Sequence, residues 1–181
     1  MKNKKKIILS YLMIVLFFNI PSNSEVIDYS SNKIKILENG KIVSGEGEVQ
    51  ISIGKNILIS SETFEYNKET GLYKILSNVK FNDIKNNLEA YGSEIIFSSF
   101  DNKILSNTKS KIIYNQTYEI DLKNFEYNIN DQKISSNEFV KIKDNINNYF
   151  ELYEFLFDLK TNKFLGKEIK FIDNQQNKYF L

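Results

Sequence analysis

The chain has 181 residues, of which 41% are hydrophobic and 14% aromatic, and its 24 basic residues nearly balance its 23 acidic ones. Histidine, cysteine and tryptophan are absent and every basic residue is a lysine. This composition excludes disulfide bonds, thiolate chemistry, histidine proton transfer and most transition-metal sites. The near-neutral charge also argues against nucleic acid as a partner.

The first 24 residues have the pattern of a secretory signal peptide. Lysines within residues 2–6 precede the apolar run 7–18, which is too short to span a bilayer. Pro21 and the small residues Ser22 and Ser24 follow. We expect cleavage before Glu25, with an uncleaved membrane anchor as the alternative. The remaining chain then holds twenty lysines against twenty-three acids, a net charge near −3.

The stretch Ser61–Asp83 predicts a β-hairpin that recurs along the chain about every thirty residues. Phe64 and Tyr66 alternate in its first strand, residues 67–71 are turn-forming, and apolar residues resume at Ile75. The residue that opens the first strand recurs at Ile34, Phe64, Ile95, Phe125 and Phe155, and the apolar residue after the turn at Ile42, Ile75, Ile104, Ile134 and Phe164. A small or amide residue then falls at Gly45, Asn78, Asn107, Asn137 and Gly166.

The repeat predicts an all-β fold in which stacked hairpins bury a shared apolar face. Between Ile59 and Phe64 the apolar alternation changes parity, which requires an extra residue and predicts a bulge in the first strand. The same shift occurs within 88–97 and 118–127, so long bent strands and a curved two-layer sheet are expected. Residues 25–32 are expected to be a polar lead-in, and 145–159 a strand instead of a helix.

Three acidic residues, Asp83, Asp144 and Asp173, follow the second strands of their hairpins. Paired carboxylates can perform acid–base catalysis. A residue that recurs with a structural repeat is better explained as turn chemistry. The glycine- and aspartate-rich pattern of calcium-binding β-rolls is also missing. We therefore expect no catalytic residue, no metal and no cofactor.

The repeat units resemble the OstA-like periplasmic domains of lipopolysaccharide transport. The resemblance is carried by residues 61–67, Ser-Glu-Thr-Phe-Glu-Tyr-Asn, followed by 77–81, Ser-Asn-Val-Lys-Phe. Glu62 stands where the family often has Asp, and Ser77 where it often has Gly. Residues 36–42, followed by 45–49, resemble the start of the periplasmic N-terminal part of LptD-type proteins, which assemble lipopolysaccharide at the outer membrane.

This resemblance implies an open β-jelly roll of about five hairpin repeats spanning 25–181, located in the periplasm and associated with the outer membrane. It implies a non-catalytic conduit for lipopolysaccharide, with acyl chains held on the inner face. The expected partners are lipopolysaccharide, other jelly-roll proteins of the same system joined by edge-strand addition, and an outer-membrane barrel with its lipoprotein plug. The expected lipid-binding residues are Val49, Ile51, Phe64, Tyr66, Val79, Phe81, Phe97, Tyr127 and Phe157.

Two alternatives stay open at this level. One is a stand-alone periplasmic bridge of the LptA type, and the other is a parallel β-solenoid acting as a surface adhesin or a polysaccharide-binding protein. The Asn39-Gly40 pair favours antiparallel hairpins over a solenoid. Tyr179 and Phe180 match the start of a further strand, and we expect the natural protein to continue into an outer-membrane barrel.

Overall fold

The computed structural model describes residues 26–180, so the expected signal peptide lies outside the described residues. The strands are β1 Ile27–Ser30, β2 Lys33–Leu37, β3 Ile42–Ile53, β4 Ile57–Asn67, β5 Leu72–Asp83, β6 Leu88–Ser98, β7 Lys103–Ser106, β8 Ser110–Tyr114, β9 Tyr118–Leu122, β10 Phe125–Asn128, β11 Lys133–Ser136, β12 Val140–Lys143, β13 Tyr149–Asp158, β14 Lys163–Ile172 and β15 Lys178–Phe180. A short 3-10 turn, Glu38–Gly40, joins β2 to β3. Within 26–180 no helix is long and apolar enough to cross a membrane.

The predicted hairpins are present, and the all-β open jelly roll is confirmed. Phe64 pairs with Ile75 across the β4–β5 hairpin, and Phe157 pairs with Phe164 across β13–β14. Every strand pairing in the part of the chain that the structure describes is antiparallel. A parallel β-solenoid is therefore excluded, since its coils stack parallel strands.

The sheet is folded into two layers because its long strands bend halfway along their length. Layer A contains β2, β7, β10, β11 and the segments 42–46, 63–67, 72–76, 94–98, 155–158 and 163–165 of the bent strands. Layer B contains β1, β8, β9, β12, β15 and the segments 49–53, 57–61, 79–83, 88–92, 149–152 and 170–172. Residues of β6 accordingly pair with β8 in layer B and with β7 in layer A.

The bends lie where the register of the paired strands shifts. The shift in β4 between Ser60 and Thr63 is the predicted bulge. The second strands also bend, with shifts between 46 and 49 in β3 and between 76 and 79 in β5. The prediction placed bends in the first strand of each hairpin alone. Both strands of a hairpin must change layer at the same level for their pairing to continue, so each bend requires a second one beside it.

Left-handed backbone conformations mark several of these bends. Ser77 and Asn78 have φ of 67° and 53°, and Glu154 in β13 has φ of 50°. A non-glycine residue adopts this conformation at a steric cost, which asparagine bears better than most residues. The recurrent small or amide residue of the sequence repeat therefore includes a bend-forming position at Asn78.

One prediction at the beginning of the described chain was wrong. Residues 25–32 were expected to be a polar lead-in, but Ile27–Ser30 forms β1 and pairs with residues 50–53 of β3. The segment is short and its two apolar positions, Ile27 and Tyr29, are too few to predict a strand. The strand predicted within 145–159 is present as β13.

Close packing next to the bend in β3 requires a residue without a side chain. A Cβ atom at Gly45 would overlap the Phe64 ring and lie 2.6 Å from Ser31 Oγ. Phe64 is buried and cannot swing away. We expect Gly45→Ala to lower the free energy of unfolding by about 1 kcal/mol, the low end of overpacking costs. Urea unfolding measures this, and Ser44→Ala, one residue away with a half-buried side chain, should change it by less than about 0.5 kcal/mol.

Candidate functional site

The space between the layers is bordered by two sets of turns that face each other. Rim A consists of the turns at 38–41, 67–71, 99–102, 129–132 and 159–162, and rim B of those at 54–56, 84–87, 115–117, 144–148 and 173–177. Each hairpin returns within the layer that it entered, so no turn joins rim A to rim B. The bends form a crease opposite the rims, and we refer to the rim side as the open side.

The inner faces of the two layers are apolar and rich in aromatic side chains. Ring centroids lie 6.0 Å apart for Phe81 of layer B and Tyr127 of layer A. The Tyr114 and Phe157 rings meet edge to face at 5.0 Å. Aromatic pairs of this kind contribute about 0.5–1.5 kcal/mol beyond the burial of their area. The two layers are therefore held together mainly by apolar contact.

The structure brings all nine predicted lipid-binding residues to this interior. Val49, Ile51, Val79 and Phe81 lie in layer B, and Phe64, Tyr66, Phe97, Tyr127 and Phe157 lie in layer A. Eight of them have a relative exposure of 2% or less. Tyr66 is half-buried and stacks on Tyr73 with 4.0 Å between the ring centroids. In this conformation the interior is packed, so a ligand reaches these residues only if the layers separate.

A buried polar cluster spans the open side. The Tyr127 hydroxyl, from layer A, donates to Asp83 Oδ2 of layer B at 2.7 Å. The Asn86 side-chain amide donates to the same oxygen at 2.7 Å and to the Tyr127 hydroxyl at 3.0 Å, and its backbone N–H donates to Asp83 Oδ1 at 3.1 Å. Asp83 is 2% exposed, so these bonds replace the water that its carboxyl group has lost.

Sequence reasoning assigned Asp83 to a turn and missed its bond across the layers. One signal was present: Asp83 is two residues beyond the inward-facing Phe81, and alternate residues of a strand share a face. A second link across the open side could not be foreseen, because it uses a backbone acceptor. The Tyr114 hydroxyl of layer B donates to the Leu159 carbonyl oxygen of rim A at 3.4 Å.

The other two acids perform the predicted turn chemistry. Asp144 Oδ1 accepts the backbone N–H groups of Ile146 and Asn148, and Asp173 Oδ1 accepts those of Gln175 and Asn177. The hydrogen bond from the Asn177 side chain lowers the pKa of Asp173 below its usual value. Within residues 26–180 no group of three or more acidic residues is placed to hold a metal ion.

Two inner tyrosines are held in their neutral form. Burial raises the pKa of Tyr127 well above its usual value, and the hydrogen bond to Asp83 raises it further. Burial also raises the pKa of Tyr73, with an added contribution from the neighbouring Tyr66. A phenolate would have to form in an apolar interior, where its charge loses hydration.

The raised pKa values of Tyr73 and Tyr127 in the folded protein predict a loss of stability at high pH. Above the usual tyrosine pKa near 10, the unfolded chain releases protons that the folded protein retains, so stability falls as pH rises. Each of the two tyrosines contributes a slope of about 1.4 kcal/mol per pH unit in that range. Urea unfolding between pH 9 and 11.5 should show a shallower decline in Tyr73→Phe and Tyr127→Phe. An unchanged slope in both variants would contradict the assignment.

A hollow with a volume of about 470 Å³ lies on the outer face of layer B, away from the interior. It is lined mainly by outward side chains, including Asp28, Gln50, Ser60 and Lys80. Leu58, which is half exposed, is an apolar side chain on this surface. These side chains point away from the interior, so the hollow does not extend the predicted lipid-binding face.

Both ends of the described sheet present edge strands. β2 pairs with β3 alone, and the segment 163–165 of β14 pairs with β13 alone. Ile36 and Leu165, one at each end, are 70% and 63% exposed. Unpaired backbone groups next to exposed apolar side chains are a template for adding a strand.

Comparisons with known proteins give a structural likeness and no family. No family model matches the chain, and no curated protein matches it. Among solved structures it is similar to LptH, the LptA homologous periplasmic component of the lipopolysaccharide transport device of Pseudomonas aeruginosa, with a TM-score of 0.48 and 10% identity over 89% of this chain and 98% of that chain. It is also similar to the TCP10 domain of Danio rerio CPAP in complex with a peptide of Danio rerio STIL, with a TM-score of 0.16 and 9% identity over 85% and 97% of the two chains. Both identities and both TM-scores are low.

Proposed function

We propose that this protein is a non-catalytic conduit for lipopolysaccharide, which holds the acyl chains between layers A and B while the sugars stay outside. The observation that carries the proposal is an apolar interior bordered on one side by rims that no turn connects. Such an interior can take up hydrocarbon in exchange for its own side-chain contacts. The same apolar burial that stabilises the fold, about 25 cal/mol per Å², also favours the bound chain.

The sequence resemblance and the geometry support the proposal together. Residues 61–67 and 77–81, which carry the resemblance to OstA-like domains, belong to the neighbouring strands β4 and β5. Their inward residues Phe64, Val79 and Phe81 lie in the interior. The signal peptide expected at 1–24 fits a periplasmic location near the outer membrane.

The edge strands support a role as one unit of a longer bridge. A neighbouring jelly roll that adds a strand to β2 or to 163–165 would continue both the sheet and the apolar interior. We propose lipopolysaccharide and such jelly-roll proteins as partners. An LptD-like role adds an outer-membrane barrel and its lipoprotein plug, whereas an LptA-like role needs neighbours at both ends.

Photo-crosslinking at matched inward and outward positions tests the proposal. Benzoylphenylalanine is placed at Tyr66 or Phe81 on the inner faces, and at the adjacent outward residues Glu65 or Lys80. We expect purified lipopolysaccharide to be captured at Tyr66 and Phe81 but not at Glu65 or Lys80. Tyr66 is the preferred inward position, because it is half-buried and its substitution disturbs the packing least.

Equal capture at inward and outward positions would mean adsorption on the surface and would refute the conduit. The isolated core oligosaccharide, which carries no acyl chains, provides the second control. It should not compete with lipopolysaccharide, because the proposal assigns recognition to the hydrocarbon.

A further inference from the structure

The backbone hydrogen bonds of the turns divide the molecule into two halves on the open side. In rim A, Lys68 donates to Lys41 and Ser99 donates to Gly71; in rim B, Ile84 donates to Asn56. All the remaining backbone bonds of turns within 26–180 stay within one rim or lie at the crease. The ion pairs of these residues also join groups within one layer or at the crease.

Hydrogen bonds between the rims come from two tyrosines in the described chain. Tyr127 bonds to Asp83 and Asn86, and Tyr114 bonds to the Leu159 carbonyl oxygen. We name these the Tyr127 link and the Tyr114 link. In both of them a strand of one layer reaches a turn or strand end of the other, and in both the tyrosine ring also packs against a partner across the interior, Phe81 or Phe157.

At the crease, the two layers are joined by the backbone instead of by side-chain links. There the backbone itself passes from one layer to the other in the bent strands. Buried serines add bonds to it: Ser106 Oγ donates to the Glu94 carbonyl oxygen at 2.8 Å, and Ser136 Oγ donates to the Lys123 carbonyl oxygen at 2.7 Å. Separation of the layers at the crease would break strands, whereas separation at the rims would break two side-chain links and apolar contact.

We propose that acyl chains enter the interior sideways through the open side, and that the Tyr127 and Tyr114 links hold this entrance closed until lipid binds. The proposal rests on the proposed function for the identity of the ligand, since the links themselves are a property of the fold. The ligand is an amphiphile whose hydrocarbon replaces the aromatic contacts and whose polar part stays at the rims.

The polar groups of the Tyr127 link suit this role. When the rims part, water or a hydroxyl group of the ligand can bind Asp83, Asn86 and the tyrosine hydroxyl, so opening leaves no polar group without a partner. In the closed state the same groups satisfy one another. A purely apolar seam would offer no such exchange of partners and no defined closed position.

Distance measurements across the open side test, without any ligand, whether the Tyr127 and Tyr114 links hold the rims together. The chain has no cysteine, so Lys85→Cys in rim B and Asn130→Cys in rim A give two unique and exposed sites for spin labels. We expect one narrow distance distribution in the protein with native tyrosines. Tyr127→Phe combined with Tyr114→Phe should add a population at longer distance, and lipid A should enlarge that population in both proteins.

The matched control is Tyr91→Phe. Tyr91 donates its hydroxyl to Glu89 two residues away in the same strand, so the change removes a tyrosine–carboxylate bond that does not cross the layers. The control should leave the distance distribution unchanged. Identical distributions in the control and in the double tyrosine variant would overturn the proposal.

Crosslinking then tests whether the rims must separate for lipid A to enter. In the unlabelled protein that carries Lys85→Cys and Asn130→Cys, a short, cleavable bifunctional thiol reagent joins the two introduced thiols across the rims. In the control protein the same reagent joins Lys55→Cys to Lys85→Cys within rim B. We expect the bridge across the rims to reduce lipid A uptake at least tenfold, reductant to restore uptake, and the bridge within rim B to have no effect. Full uptake with the rims bridged would overturn sideways entry, whereas no uptake by the unbridged protein would refute the conduit itself.

Discussion

Phe157→Ala is expected to destabilise the protein by about 3–5 kcal/mol, the range for truncating a large buried aromatic residue. Phe157 is 2% exposed and lies where the two layers meet. Its ring contacts Tyr114 and Tyr118 of layer B, with centroids 5.0 and 6.4 Å away, and Phe164 of the neighbouring strand at 6.5 Å. The cavity therefore removes contacts across the interior as well as within layer A.

Equilibrium unfolding in urea measures this change. The control is Phe100→Ala, which removes the same side chain from a rim A position that is 69% exposed, and which should cost less than about 0.5 kcal/mol. A similar loss in both variants would mean that the interior between the layers does not contribute the main apolar stabilisation.

Asp83→Ala is expected to have the second largest effect. It removes the acceptor of the Tyr127 hydroxyl and of both Asn86 donors. A buried donor left without a partner costs about 1–3 kcal/mol, and we expect a loss at the upper end of that range because Tyr127 is 1% exposed.

A double-mutant cycle separates the link from the loss of packing. Tyr127→Phe removes the hydroxyl alone, so the variant that carries both changes leaves neither partner unsatisfied. We expect a coupling energy of about 1.5–3 kcal/mol, as for hydrogen bonds to charged groups. The Tyr91→Phe change combined with Asp83→Ala should be additive, because Tyr91 bonds to Glu89 on the outer face. Additivity in the Tyr127 cycle would contradict the bond across the open side.

The hairpin repeat and the bend in the first strand of a hairpin were predictable because each leaves a local signal in the sequence. The pairing of Phe64 with Ile75 follows from alternating apolar positions on either side of a turn-forming segment. The bulge between Ser60 and Thr63 follows from the change of parity that places Ile59 and Phe64 on one face. These features depend on residues within one repeat.

Features that depend on two distant repeats were not predictable. The bond of Tyr127 to Asp83 joins residues 44 positions apart in opposite layers, and nothing local specifies which strands face each other across the interior. The alternation that assigned nine residues to the inner face could not tell whether that face is open or packed. The structure supplies this distinction, since eight of the nine are buried against the opposite layer.

Locating a bound acyl chain in the protein tests the proposed conduit most directly. A lipid A analogue with a spin label near the end of one acyl chain is added to protein carrying 13C-methyl isoleucine. The methyl signals are recorded while the label is paramagnetic and again after the label has been reduced. If acyl chains lie between the layers, we expect strong broadening of the methyl signals of the inward residues Ile75 and Ile104. We expect little broadening of Ile96 and Ile113, whose side chains lie on the outer faces. Broadening of Ile96 and Ile113 with Ile75 and Ile104 unaffected would contradict the proposed conduit.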